Sequence, residues 1–599
     1  MRDRGTGTLT SSSFPVTAPY GSFLIGGGDS PQTRVDLLVV DPQGQADHVI
    51  FTAVGDQREQ MRRIVVDLRK WQGKQIAIRL VDESSGGWGH VNFDDFRFHD
   101  SSPVIEEEAS AWRSTRNPLL QHLVPNVSRR ASDQTEIDRS AASPSETLRQ
   151  MHVPRGFSVD LIAAEPDLHQ PMAFTFDSKG RIWVAEGYCY PEKRPEGEGI
   201  DRILIFSDND RDGVFEDRKV FIEGLNLVSG MEVGHGGVWV GAAPQLLFIP
   251  DRDRDDRPDG EPRILLDGFG HADTHETLNS FLWGPDGWLY GNQGVFNRSR
   301  IGKPGSPENQ RESLNAGVWR YHPTRHEFEV FAHGGSNQWG LDYDLYGQLL
   351  MTHCRSYWGR GPTTHVMQGG HYWNQVNGGY APFVSPVAPP HLPEMRNFLL
   401  ASARYGHGEG GAGKQGSRAV YGGHSHVGTM IYLGDNWPTE YRNHLFTHNL
   451  HGHQMNHQVN VRAAGGYRTL HAGYDMLFCS DPQYIGVDLQ VGPDGAVYLS
   501  DWYDPRHCHN PNVEQWDRGN GRIYRMQYDD TYRPVSVDYS TATDEQLVEA
   551  QLHQNEWHVR AARLVMHERA AAGRFSPDSV ERLRQVALQH PLADRRLRA

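Results

Sequence analysis

Cysteine, net positive charge and long apolar runs are all scarce in this sequence. Its 599 residues include four cysteines, Cys189, Cys354, Cys479 and Cys508. None forms a Cys-x-x-Cys pair, which argues against a zinc ribbon or a thioredoxin-like centre. Cys-x-x-Cys-His is also absent, so no c-type haem attaches within the chain. Lys plus Arg number 59 against 75 Asp plus Glu, a formal net charge of -16. That acidity disfavours nucleic acid and anionic membrane as main partners. No apolar run reaches membrane-spanning length, and Met1-Arg-Asp-Arg-Gly-Thr-Gly lacks the apolar core of an export signal. Amphipathic helical stretches are scarce before residue 541.

Turn chemistry is abundant instead. With 64 Gly, 35 Pro and 15 Trp, the composition is that of a turn-rich β protein. The length exceeds one core, so two to four domains are expected. Residues 1–100 alternate in the strand period, as in Val35-Asp-Leu-Leu-Val-Val and Ile76-Ala-Ile-Arg-Leu-Val, and read as a β-sandwich. The first strand, Gly7-Thr-Leu-Thr-Ser, opens so early that a start upstream is expected. Residues 101–150, rich in Ser, Glu, Arg and Pro, read as a linker with one short helix. After Asp544, Glu545-Gln-Leu-Val-Glu-Ala-Gln-Leu and Trp557-His-Val-Arg-Ala-Ala-Arg-Leu-Val turn to the helical period, and 541–599 reads as the start of an α-helical, HEAT-like repeat.

Between these lies a repeat. Phe176-Asp-Ser-Lys-Gly, Gly236-Gly-Val-Trp, Gly284-Pro-Asp-Gly-Trp-Leu-Tyr, Tyr343-Asp-Leu-Tyr-Gly, Asn443-His-Leu-Phe and Gly492-Pro-Asp-Gly-Ala-Val-Tyr recur in order. Pro presets φ and Gly takes φ > 0, so each is a tight turn leading into an inner-type strand. Six copies, closed by Gly521-Arg-Ile-Tyr-Arg-Met, predict a six-bladed β-propeller over 151–530. The class is mainly β.

Val153-Pro-Arg-Gly-Phe, Asn279-Ser-Phe-Leu-Trp-Gly-Pro-Asp-Gly-Trp-Leu-Tyr-Gly, Asp501-Trp-Tyr-Asp and Trp516-Asp-Arg-Gly-Asn-Gly-Arg-Ile-Tyr-Arg resemble the membrane-bound dehydrogenase family of planctomycetes. Its propeller is similar to soluble glucose/sorbosone dehydrogenases. The resemblance covers roughly 150–599 and implies a periplasmic or extracellular oxidoreductase, dependent on pyrroloquinoline quinone with calcium, acting on a carbohydrate. It also implies a c-type cytochrome as electron acceptor, although the family's haem module is missing here. Asp82-Glu-Ser-Ser-Gly-Gly-Trp-Gly-His-Val-Asn-Phe-Asp-Asp-Phe resembles a sandwich attached to glycoside hydrolases, which implies carbohydrate binding; Trp88 and Phe93 read more simply as sandwich core.

The resemblance places the catalytic base at His275, nine residues before Gly284, with Asp273 or Glu276 to orient its imidazole. It places the quinone-contacting amide at Asn337, in Gly334-Gly-Ser-Asn-Gln-Trp-Gly-Leu, with Gln338 beside it. Lys414, Arg418 and Arg404 are the cations available for the quinone, although none sits in a matching motif. Read from residue chemistry alone, two sets suit metals. Asp208, Asp210 and Asp212 with Asp217 alternate around Gly213 as calcium loops do, but Lys219 stands where an EF-hand carries Glu. His424 and His426, followed by His444, His448, His451, His453 and His457, have spacings that suit copper, iron or zinc. Solvated turns and a polar funnel lining are the plain alternatives. Asp251-Arg-Asp-Arg-Asp-Asp is a further acidic loop with Arg interleaved. Two other readings stay open: a non-catalytic carbohydrate-binding scaffold, and a metal-dependent hydrolase or lactonase.

Overall fold

The computed structural model describes residues 5–40, 48–55, 57–100, 123–126, 141–335, 337–353, 363–374, 426–450, 453–463, 466–472, 475–504 and 517–599. Two compact units divide the chain. The first is a β-sandwich. One sheet runs in the order Gly7–Thr10, Gln75–Asp82, Thr33–Val39, His48–Val54; the other runs Arg58–Asp67, Tyr20–Gly27, Val91–His99. Phe23, Ile25, Val35, Leu37, Ile64 and Ile76 fill the space between them. Phe93 packs against this core as expected, 5.4 Å from Phe23 between ring centroids. Trp88 does not: it is 37% exposed on a glycine-flanked loop.

The second unit carries a six-bladed propeller and the C-terminal helices. The innermost strands are Pro171–Phe176, Val228–Val233, Asn279–Trp283, Gln338–Tyr343, His426–Ile431 and Gly486–Val491. Each contacts the next, and the last contacts the first, so the ring is closed. Arg522–Tyr528 pairs with Val497–Asp501 on one side and with Phe157–Ala163 on the other, so the first propeller strand completes the last blade. Blade five recruits more: Leu477–Cys479 pairs with Met151–Pro154, which pairs with Leu123–Pro125. Part of the expected linker is therefore propeller. Helix α1 (Pro144–Arg149) starts there on a capping box formed by Ser143 and Glu146.

Each repeat copy joins an innermost strand to the second strand of its blade, rather than leading into the innermost one. The reason is local. In Gly284-Pro-Asp-Gly287, Gly287 has φ +81°, the amide of Trp288 donates to Asp286 Oδ1 at 3.3 Å, and the Tyr290 hydroxyl donates to Asp286 Oδ2 at 2.8 Å. Asp494 holds Ala496 and Tyr498 in the same way. The Asp-Gly-x-x-Tyr spacing is thus a turn that fastens its own exit strand. In the degenerate fifth copy Asn443 supplies the positive φ, +64°.

Helices α2 (Asp544–Ala550), α3 (Glu556–Ala571), α4 (Pro577–Gln589) and α5 (Ala593–Arg598) follow. Among them α3 lies across the repeat turns. Asn555 Nδ2 donates to the carbonyls of Gly492 and Pro493, and the His235 amide donates to Glu568 at 2.6 Å. No helix of the described residues is long and apolar enough to cross a membrane.

Candidate active site

All innermost strands run the same way, so the channel has two distinct mouths. The repeat turns surround one and the strand entries surround the other. The entry mouth is floored by Met172, Tyr190, Trp339, Val427, Val487 and Trp502, packed together from four blades.

His275 lies at this mouth in the 3-10 turn Thr274–Glu276, just before the innermost strand of blade three. Its Nδ1 is hydrogen-bonded to Asp273 Oδ1. Both side chains are mostly shielded, 14% and 12% exposed. The loop is fixed from below by buried amides. Asn297 accepts from the Asp273 amide at 2.9 Å and donates to its carbonyl at 2.7 Å. Gln293 accepts from the Leu278 amide at 2.8 Å and donates to the Gly270 carbonyl at 2.9 Å. The Thr274 hydroxyl donates to the Pro191 carbonyl at 2.6 Å, and the Tyr190 ring meets His275 edge-on with centroids 5.8 Å apart.

Glu276 completes the cluster: one ligand atom from each of Asp273, His275 and Glu276 lies within 4.8 Å of the others. Gly294 separates Glu276 from Asn337. A Cβ there would come within 2.7 Å of Glu276 Cβ and 3.3 Å of Asn337 Oδ1. Asn337 is buried, at φ +48°, and its Oδ1 accepts from the Val295 amide at 3.2 Å. The structure therefore brings Asp273, His275, Glu276 and Asn337 to one place. Gln338 points elsewhere: its Nε2 donates to the Gly317 carbonyl at 3.1 Å, in the seam between blades.

The same mouth holds a group that sequence reasoning missed. Glu186 is fully buried and paired with Arg202, and it accepts from the His169 amide at 2.7 Å. Burial raises its pKa despite the Arg202 guanidinium. Arg202 Nη2 donates to the Tyr188 hydroxyl at 3.1 Å, and Arg518 donates to the Tyr188 carbonyl at 2.7 Å. A lone acid closing the apolar run Ile182-Trp-Val-Ala was the available signal. Asn297 and Tyr190 had none, because their roles come from contacts distant in sequence.

The metal candidates fare differently. Asp208, Asp210 and Asp212 do converge, with Glu216 rather than Asp217 as the fourth carboxylate. Asp217 opens the next strand and accepts from Asn209. The histidines disperse. His426 Nδ1 meets the Thr447 hydroxyl at 3.0 Å, His444 pairs with His457 at 2.8 Å, and His453 meets the Tyr484 carbonyl. Burial drives the His448 pKa down to about 3, so that ring is neutral. Among the described residues these rings form no ligand set. Strand alternation and blade register separate imidazoles that are close in sequence. Asp501, in blade six, accepts from the amides of Ile485 and Tyr503, and burial raises its pKa to about 7. Lys414, Arg418, Arg404, His424 and His451 lie outside the described residues. Cys189 and Cys479 are buried free thiols.

A 220-residue stretch is 29% identical to "Putative glycosyl hydrolase ecdE" of Aspergillus rugulosus, covering 35% of this chain and 30% of that protein. The chain thus spans less than a third of that curated relative. Among solved structures, the pyranose dehydrogenase PQQ domain from Coprinopsis cinerea is 13% identical, covering 63% of this chain and 97% of that one, with a TM-score of 0.39. The PQQ-bound aldose sugar dehydrogenase from Streptomyces coelicolor is 14% identical over 63% and 99%, with a TM-score of 0.36. The family model described as a domain of unknown function matches residues 143–530, which hold all six innermost strands and more than half of the sequence. The chain belongs to that family, DUF7133.

Proposed function

We propose that the chain is an exported oxidoreductase of the sugar-dehydrogenase type, which takes a carbohydrate-class polyol at the entry mouth. The observation that carries this is the Asp273–His275 pair, held rigidly beside Glu276 and Asn337. Asp273 accepts the proton on Nδ1, which leaves Nε2 as the basic nitrogen. Nε2 takes the proton from a substrate hydroxyl, and Asp273 stabilises the imidazolium that forms. Asn337 Nδ2, without a partner among the described residues, donates to a bound oxygen. Tyr190, itself buried, braces the His275 ring edge-on.

Pyrroloquinoline quinone, when bound, would accept the hydride that leaves the substrate carbon. The described residues fit it only in part. Base and amide are present, but Asp273, Glu276 and Glu186 make the mouth acidic, and Arg202 is spent on Glu186. Lys414 and Arg418, the proposed cations for its carboxylates, lie outside the described residues, and calcium is the proposed further counter-charge. A c-type cytochrome is the proposed electron acceptor.

The test is to assay purified protein on a broad sugar panel with an artificial electron acceptor, with and without added quinone and calcium. Sugar-dependent dye reduction that disappears in His275→Ala is expected. No dye reduction across the panel, together with no quinone binding, overturns the proposal.

One observation favours a second reading, a metal-dependent hydrolase or lactonase. Asp273, His275 and Glu276 present a nitrogen and two carboxylates at ligand spacing, and one relative bears a glycosyl hydrolase name. A transition metal near one per chain, lost in Glu276→Gln, with lactone or glycoside hydrolysis, would establish it.

A further inference from the structure

The interleaved loop Asp251-Arg-Asp-Arg-Asp-Asp follows the strand Gln245–Pro250 of blade two. Asp251, Asp253 and Asp255 bring their carboxylates within 4.8 Å of one another. Arg252 and Arg254 instead line a cleft of about 400 Å³ whose opposite wall is the end of α3 and the residues after it, with Arg569 and Arg574. Asp544 and Glu568 are the only carboxylates in that lining, and each is engaged. Asp544 pairs with Arg569 at 2.6 Å, and Glu568 pairs with Arg254 at 2.7 Å. That leaves Arg252 and Arg574. Both are exposed, one from each wall, and neither guanidinium has a hydrogen-bond or ion-pair partner among the described residues. Two unspent guanidinium forks facing one polar cleft are unexpected in a chain of net charge -16. Like charges gathered in this way repel unless an anion lies between them.

We propose that this cleft binds a tetrahedral oxyanion of the sulfate or phosphate class. A carboxylate saturates one guanidinium fork, whereas a group with three terminal oxygens serves two forks approaching from different walls. The ligand bridges blade two to the helices that close the turn-side mouth. The site is distinct from the entry mouth and does not depend on how that mouth is used.

Equilibrium dialysis of the full chain at fixed ionic strength in sodium chloride tests this. The probes are inorganic sulfate, inorganic phosphate and glucose 6-sulfate, with acetate as the planar comparison. Saturable binding of one oxyanion per chain is expected, weakened at least tenfold in the Arg252→Ala/Arg574→Ala double variant. Because both side chains are exposed and unpartnered, that variant should keep its melting temperature. Tighter binding of glucose 6-sulfate would identify a sugar ester as the ligand, and equal binding would identify the free ion. Binding no stronger than chloride's, equal binding of acetate, or binding undiminished in the double variant overturns the proposal. Arg574→Lys gives an independent check: charge is kept but the fork is lost, so intermediate weakening is expected.

Discussion

The two mouths of the propeller channel treat their acidic residues in opposite ways. At the entry mouth, Asp273, His275 and Glu276 sit on a loop with partial access to solvent, and buried amides beneath them do the holding. At the turn mouth, Glu232, Asp342 and Asp488 line a cavity of about 150 Å³ on every second blade, and α3 closes over it. There the polar groups hold one another. Asp342 pairs with Arg560 of α3 at 2.8 Å and accepts from the Ile431 amide, while Glu232 accepts from Thr175 at 2.8 Å. The Arg560 guanidinium also stacks over Tyr343, 3.9 Å from the ring centroid. At the entry mouth the Asp273–His275 pair is the proposed site of chemistry, while Glu186 is buried against Arg202. At the turn mouth Asp342 instead docks a helix through Arg560. Similar residue types give opposite roles because burial and partners, not identity, decide what a carboxylate does.

That contrast can be broken experimentally. The largest effect is expected at the entry mouth. Asp273→Asn offers the imidazole an amide in place of a carboxylate, removing the charge that stabilises the imidazolium. Turnover should fall about a thousandfold with little change in melting temperature, as steady-state rates and a thermal melt would show. At the turn mouth, Arg560→Ala leaves the Asp342 carboxylate buried without its cation. A loss of about 3 kcal/mol is expected from denaturant unfolding, with the turnover of the folded fraction retained.

A smaller effect concerns pH. Burial raises the Glu232 pKa from 4.5 to about 8 and that of Asp488 from 3.8 to about 7. Between those values the folded state holds protons that the unfolded chain has lost. Their contribution is complete below the unfolded pKa values and disappears as pH rises through about 8. Stability should therefore decline from pH 5 towards 8, and Glu232→Gln should flatten the slope. An unchanged slope in that variant would remove Glu232 from the account. His448 acts in the opposite sense. With its pKa lowered from 6.5 to about 3, its contribution is lost as pH falls through that window. The smallest effect is expected from Thr274→Val, which removes one hydrogen bond to Pro191 and should cost about 1 kcal/mol with a modest fall in turnover.

The turn mouth was the more legible of the two in the sequence. Its Gly, Pro, Asp and aromatic residues act within four or five positions of one another, so pattern alone revealed six blades. Even there, Arg560 on Asp342 could not be foreseen, since the pair joins a helix to a blade far away in the chain. At the entry mouth, His275 and Asn337 came from a resemblance, and the structure places Glu276, which follows His275, and Asn337 on either side of Gly294. Glu186 with Arg202, and Asn297 under Asp273, were not legible because nothing local marks them. The blade-five histidines looked like a site because they are close in sequence, but β alternation turned them to different neighbours. Asp217 failed for a related reason: it belongs to a strand, and Glu216 beside it faces the loop.

One mouth is proposed to do chemistry and the other to hold the architecture. Measuring turnover and melting temperature for His275→Ala beside Arg560→Ala tests this most directly. The prediction is that His275→Ala loses turnover by about a thousandfold or more at an unchanged melting temperature, while Arg560→Ala does the reverse. Full turnover in His275→Ala, or lost turnover in a fully stable Arg560→Ala, would contradict it.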